Sequence, residues 1–87
     1  MNKKELVKAV REGDLYERIV AEVKENDRFV VLGNEISRKD EDTFKVIRTV
    51  SMMHHHHDQL VAEGTIEYCA KIVSGDLKQK VYDGEII

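Results

Sequence analysis

The spacing of apolar residues divides the chain into helical and extended segments. Residues 3–12 place their apolar side chains on one stripe of a helix, and residues 15–25 do so more regularly. From residue 28 the period changes: residues 28–32 are rich in β-forming residues, and residues 43–50 alternate polar and apolar with a period of two. The pattern predicts two helices, followed by an antiparallel hairpin that pairs 28–32 with 43–50.

A short phrase, Gly-Asp-Leu, occurs at residues 13–15 and again at 75–77. Glycine tolerates the left-handed backbone that ends a helix, and aspartate accepts hydrogen bonds from the N–H groups that begin one. Glu17 and Gln79 stand three residues past each aspartate, as in a capping box. The phrase predicts a helix–corner–helix unit near each end of the chain.

Residues 58–73 fit two patterns. As a strand, their second half alternates apolar and polar residues, whereas as a helix they carry an unbroken polar stripe at four-residue intervals. The stripe favours a helix over 58–73, with a last helix over 77–82. The predicted fold is one α+β domain spanning 1–87, mostly helical, in the order α-α-β-β-α-α. The alternative is a pair of N-terminal helices plus a four-stranded antiparallel sheet.

Net charge and hydropathy argue against two classes of protein, those that bind nucleic acids and those that span a membrane. The 87 residues include 14 basic and 17 acidic side chains, a net charge of −3. This balance argues against a protein that binds the phosphate backbone of nucleic acids. The longest apolar run, residues 29–32, is far shorter than the roughly 20 residues of a membrane span. A cytoplasmic protein without a membrane segment is expected.

Catalytic motifs find little support in the sequence. The five glycines are isolated, so neither a phosphate loop nor a dinucleotide-binding fingerprint is present. Cys69, the single cysteine, occupies an apolar helical position and is expected to be a buried hydrophobic residue rather than a nucleophile. The chain is therefore not predicted to be an enzyme, and no cofactor is required.

One cluster of metal-ligating residues stands out. His54, His55, His57 and Asp58 lie in a run of four histidines followed by an aspartate. On a helix, positions 54, 57 and 58 would share a face with the spacing of divalent-metal ligands, so zinc or nickel are the candidate ions. Adjacent imidazoles that titrate near neutral pH give a second hypothesis, a pH-responsive protein.

A charged loop is the candidate partner-binding segment. Arg38, Lys39, Asp40, Glu41 and Asp42 lie between the two predicted strands, and an acidic tip of this kind can occupy a basic groove on a target protein. The same segment would be the wing of a winged-helix DNA-binding regulator. However, three acidic residues against two basic ones favour a solvated turn.

The predicted hairpin is apolar on both faces. Phe29 and Val31 lie on one face, and Val30 and Leu32 lie on the other. One short helical layer cannot cover both, so a second chain is expected to cover the remainder. The sequence therefore predicts a small non-enzymatic interaction module, a self-associating regulator or inhibitor of a protein target. Accessory proteins of bacteria and their viruses include such modules. A metal- or pH-responsive protein and a winged-helix-like regulator are the alternatives.

Overall fold

Two helices begin the fold, four strands follow, and one long helix ends it. The computed structural model describes residues 1–85, with the side chain of Met52 excepted. None of the described helices is long and apolar enough to cross a membrane. The elements are α1 (Lys3–Glu12), α2 (Leu15–Asn26), β1 (Arg28–Val31), β2 (Asn34–Arg38), β3 (Phe44–Met52), β4 (His55–Gly64) and α3 (Ile66–Tyr82).

The α+β class and the first two helices are confirmed, but the order α-α-β-β-α-α is wrong. The observed order is α-α-β-β-β-β-α. The fold is also less helical than predicted, since residues 34–38 and 55–64 are strands. The alternative with a four-stranded sheet was right about the sheet, but it placed a strand where α3 begins.

The four strands form an antiparallel sheet in the order β1-β2-β3-β4. Phe29 of β1 lies opposite Ile36 of β2, and Ile36 lies opposite Val46 of β3. The predicted pairing of residues 28–32 with 43–50 is therefore wrong. The two-residue turn after Val31 returns the chain at once, so β2 occupies the place next to β1.

The corner between α1 and α2 is confirmed. Gly13 adopts the left-handed conformation, with φ at 75°, and the Asp14 N–H donates to the Ala9 carbonyl at 3.1 Å, closing α1 as a Schellman motif. Asp14 begins α2, but its carboxylate makes no cap hydrogen bond. It accepts instead from Arg18 Nε at 3.1 Å.

The second corner was wrongly predicted, because residues 75–77 lie inside α3. This helix begins at Ile66 and is capped by Thr65, whose side chain accepts from the Tyr68 N–H at 3.1 Å. Val73 and Leu77 are fully buried on the same side of the helix. Their burial against the sheet and α2 outweighs the roughly 1 kcal/mol that a glycine costs in a helix interior.

The helices and the sheet form two layers. The Cα atoms extend 36 Å in two directions but 17 Å in the third, which fits one sheet and one helical layer. Helices α2 and α3 contact the sheet, and α1 packs against α2 and α3. The buried apolar residues between the layers are Leu6, Ala9, Val10, Leu15, Ile19, Val23, Phe29, Val31, Ile36, Phe44, Val46, Cys69, Ala70, Val73 and Leu77.

The two Gly-Asp-Leu phrases predict opposite effects of one substitution. Gly75→Ala should raise the free energy of unfolding by about 1 kcal/mol, because the site is helical and a Cβ there meets no atom within 4 Å. Gly13→Ala should lower it by about 1 kcal/mol, because its φ is left-handed. Urea denaturation of both variants measures the two changes. A loss of stability in Gly75→Ala would contradict a continuous α3.

Candidate interaction surface

The face of the sheet turned away from the helices, which we call the open face, carries three apolar side chains in one row across the sheet, with Glu35 between the first two. Val30 on β1 lies opposite Glu35 on β2, Glu35 lies opposite Ile47 on β3, and Ile47 lies opposite Leu60 on β4. Val30 is 47% exposed and Leu60 is 55% exposed. We call Val30, Ile47 and Leu60 the apolar row. The expectation that Val30 lies on a different face from Phe29 and Val31 is confirmed.

A charged row lies beside the apolar row on the open face. It consists of Arg28, Ser37, Lys45 and Glu63, which the strand register places next to one another. Its β1 end is therefore positive and its β4 end is negative. Arg28 also approaches Glu35 at 3.4 Å, and Lys39 pairs with Glu63 at 3.0 Å.

The turn between β1 and β2 places an exposed leucine in an unfavourable backbone conformation. Leu32 has φ at 45° and Gly33 has φ at 81°, the pattern of a type I′ turn. Asparagine, aspartate or glycine normally occupy the first of these positions, because bulky side chains rarely adopt positive φ. Leu32 is nevertheless 48% exposed, so burial within the chain does not compensate for this strain.

Strands β3 and β4 continue past β1 and β2 as a two-stranded ribbon that contains the histidines. The end of the sheet is marked by the Thr49 N–H, which donates to the Gly33 carbonyl at 2.8 Å. On the open face of the ribbon, the Thr49 hydroxyl donates to Asp58 Oδ1 at 3.0 Å. Ser51 Oγ lies 2.9 Å from His56 Nδ1 on the same face. Strand alternation then places His55 and His57 on the opposite face.

The helical spacing that suggested a metal site is wrong. His54 lies in the β3–β4 turn, and residues 55–64 form β4. His55 and His57 share one face of the strand, whereas Asp58 lies on the other, so the four proposed ligands do not converge. Within residues 1–85, no group of three or more histidine, cysteine, aspartate or glutamate side chains is placed to hold a metal ion.

A polar cluster joins the sheet to α3 where the ribbon begins. Asn34 is completely buried, and its Oδ1 accepts from Arg48 Nε at 3.1 Å. The Arg48 guanidinium approaches Asp76 of α3 at 3.4 Å, and Lys80 approaches the same carboxylate at 3.3 Å. Asp76 is thus a partner of Arg48 rather than a helix cap. Sequence reasoning missed this cluster, because its members are far apart in the chain and share no local motif.

The loop proposed to bind a partner, Arg38 to Asp42, is largely occupied with its own neighbours. Arg38 Nε donates to Asp27 Oδ1 at 2.9 Å, and one of its terminal nitrogens donates to the Glu41 carbonyl at 2.6 Å. Lys39 Nζ reaches both carboxylate oxygens of Glu63. Asp40 Oδ1 accepts from the backbone N–H of Asp42 and of Thr43. Residues 39–42 form the turn that was expected, with Arg38 at the end of β2, while the role of the segment in binding stays a prediction.

Among the described residues, neither the surface pocket along α1 nor Cys69 forms part of a recognisable catalytic site. The hollow beside α1, about 620 Å³, is lined by that helix alone. Cys69 is buried, as predicted, and its Sγ lies 4.0 Å from the Gly64 carbonyl. A buried neutral thiol is a poor nucleophile, because the thiolate is the reactive form.

Comparisons with protein-family models, with curated proteins and with solved structures gave no match to this chain. The functional argument therefore depends on the geometry of the surfaces described above.

The burial of Cys69 predicts a stability change at alkaline pH. Burial raises the pKa of the thiol above its ordinary value of 9.0, and the negative charge of nearby Glu63 raises it further. The unfolded chain therefore releases the thiol proton at lower pH than the folded chain does. The thiol's contribution to stability is complete below pH 9.0 and is lost as the pH rises through the folded-state pKa.

The matched control is Cys69→Ala, which removes the titrating group and little else. Urea denaturation between neutral and strongly alkaline pH should show the original chain losing stability more steeply than this variant. Parallel pH profiles for the two proteins would contradict the raised pKa.

Proposed function

We propose that the protein is a non-enzymatic interaction module that self-associates through the open face of its sheet. The observation that carries this proposal is the apolar row, which lies on the side of the sheet that the helices leave uncovered. An exposed apolar strip with polar neighbours is typical of a protein–protein contact. A role as a regulator or inhibitor of a protein target would use the same surface.

The occupant that fits this face best is a second copy of the chain. Consider a dimer in which the open faces of two copies are stacked on each other. Its two-fold axis lies between the two sheets, above the gap between β2 and β3, and runs parallel to the strands. Strand β1 then lies over β4 of the second copy, so Val30 faces Leu60 across the interface. The same operation places Arg28 opposite Glu63, a pair of opposite charges. The face is therefore complementary to itself at these two pairs. The same operation places Ile47 opposite Glu35, whose carboxylate is already paired with Arg28 of its own chain at 3.4 Å.

The area of the face predicts a weak dimer. Four strands about 4.8 Å apart and two side-chain rows about 7 Å apart cover roughly 270 Å². A stable protein–protein interface usually buries about 800 Å² on each partner. We therefore expect association that depends on concentration, with a dissociation constant in the micromolar range or weaker.

Leu60→Lys should abolish this association, because it places a charge at the β4 end of the apolar row, opposite Val30 of the second copy. Sedimentation velocity from micromolar to millimolar protein measures the change. Tyr82→Lys is the matched control, since Tyr82 is 67% exposed but lies at the end of α3. It should associate as the original chain does. A protein that stays monomeric up to millimolar concentration contradicts the proposal.

Charge exchange tests the orientation of the two copies. Arg28→Glu and Glu63→Arg should each weaken association, and the double variant should restore it, because it recreates the opposite-charge pair across the two-fold axis. If the double variant is weaker than either single variant, the two-fold geometry is wrong, even where a dimer is present.

Replacing Leu32 by asparagine should change the stability of the fold and the strength of self-association in opposite directions. Leu32→Asn should raise the free energy of unfolding by about 1 kcal/mol, because asparagine tolerates positive φ better than leucine does. It should also weaken self-association, because it removes an exposed apolar side chain next to the open face. Leu32→Ala keeps the backbone strain without the large side chain, so it should weaken association without the gain in stability. Urea denaturation and sedimentation of both variants measure the two effects.

The winged-helix alternative does not fit the observed fold. A recognition helix would have to lie between α2 and the first strand, but β1 begins two residues after α2 ends. The two basic side chains of the loop that would form the wing are paired within the chain, Arg38 with Asp27 and Lys39 with Glu63. We therefore do not propose DNA binding for this chain.

A further inference from the structure

His55 and His57 lie next to each other on the helix side of the ribbon, and both side chains are exposed. We propose that His55 and His57 bind a single divalent transition-metal ion, with Zn²⁺ as the reference ion. The site is independent of the proposed self-association, because it lies on the opposite face of the sheet from the apolar row.

The register supports the placement of the pair on one face. Val50 of β3 lies opposite His57, and Arg48, two residues earlier, points toward Asn34 and α3. Because side chains alternate along a strand, Val50 and His57 lie on this same side, and so does His55. His56 lies on the other side, where it contacts Ser51.

The distance between the rings is close to that of a chelating pair. The ring centroids of His55 and His57 lie 6.2 Å apart, and the ring planes are tilted by 32°. With a zinc–nitrogen bond of about 2.1 Å, each ring centre lies about 3.2 Å from the ion, so two rings at the tetrahedral angle are about 5.2 Å apart. The rings would have to move about 1 Å closer together to reach this distance. Side-chain rotation allows such a movement, because both histidines are exposed.

The chemistry of the pair selects the class of ion. Imidazole nitrogen is a ligand for zinc, nickel and copper, whereas calcium and magnesium require oxygen ligands. Two protein ligands leave open coordination positions, which water fills. The site is therefore an exposed two-ligand site rather than a closed structural centre, and the fold should not require the ion.

Isothermal titration of the full chain with ZnCl₂ tests the proposal. We expect one ion per chain, and no heat with CaCl₂ or MgCl₂. The variant pair His55→Ala/His57→Ala should weaken zinc binding by at least about tenfold. The matched control, His54→Ala/His56→Ala, removes the same number of imidazoles from the turn and from the opposite face. It should retain the affinity of the original chain.

Nuclear magnetic resonance of the histidine ring protons gives a readout that does not depend on affinity. Zinc should shift the His55 and His57 signals in the original chain and leave the dispersion of the backbone amide signals unchanged. The proposal is wrong if both double variants lose zinc binding equally, because the histidine-rich composition would then be the cause. It is also wrong if the original chain binds no zinc.

Discussion

The packing of the helices against one face of the sheet determines where the other features of the molecule lie. Side chains alternate along each strand, so covering one face leaves its neighbours in sequence on the other. Phe29 and Val31 are nearly inaccessible, while Val30 between them is half exposed. Among residues 1–85, no further layer covers the open face and excludes water from its apolar row. The case for self-association follows from this one-sided packing rather than from any motif.

The same constraint explains the change of chemistry along β3 and β4. Helix α3 covers the inner side of β3 as far as Arg48, whose guanidinium lies against Asp76. Arg48 also satisfies the buried oxygen of Asn34, so the polar cluster forms the border between the apolar core and the ribbon. Beyond this border none of the described helices covers the inner side, and polar residues such as His55 and His57 can occupy positions that would otherwise be core.

Local periodicity predicted those elements that bury one regular face. Helices α1 and α2 and strands β1 and β3 carry such patterns, and the structure confirms these segments. Strand β2 contains Ile36 as its one strongly apolar residue, and β4 is largely exposed on both faces, so neither has a hydrophobic period to detect.

The sequence did carry a signal for α3, since an apolar stripe from Ile66 to Leu77 continues across the second Gly-Asp-Leu phrase. The local helix-ending chemistry of glycine was given too much weight against it. The alternation of side chains along β1 was enough to predict that Val30 lies on the open face. The open-face position of Leu60 depends on the one-residue bulge in β4 beside Val46, so the sequence did not predict it.

The ribbon illustrates how one strand can present two independent surfaces. A two-stranded ribbon is only marginally stable by itself, and here the bonds from Ser51 to His56 and from Thr49 to Asp58 join its strands on the open face. His55 and His57 belong to the same strand, so an ion held between them would add no link across the ribbon. Metal binding should therefore leave the register of β3 and β4 unchanged, together with the positions of Ile47 and Leu60. For this reason an ion on the inner side and a second chain on the open face need not compete.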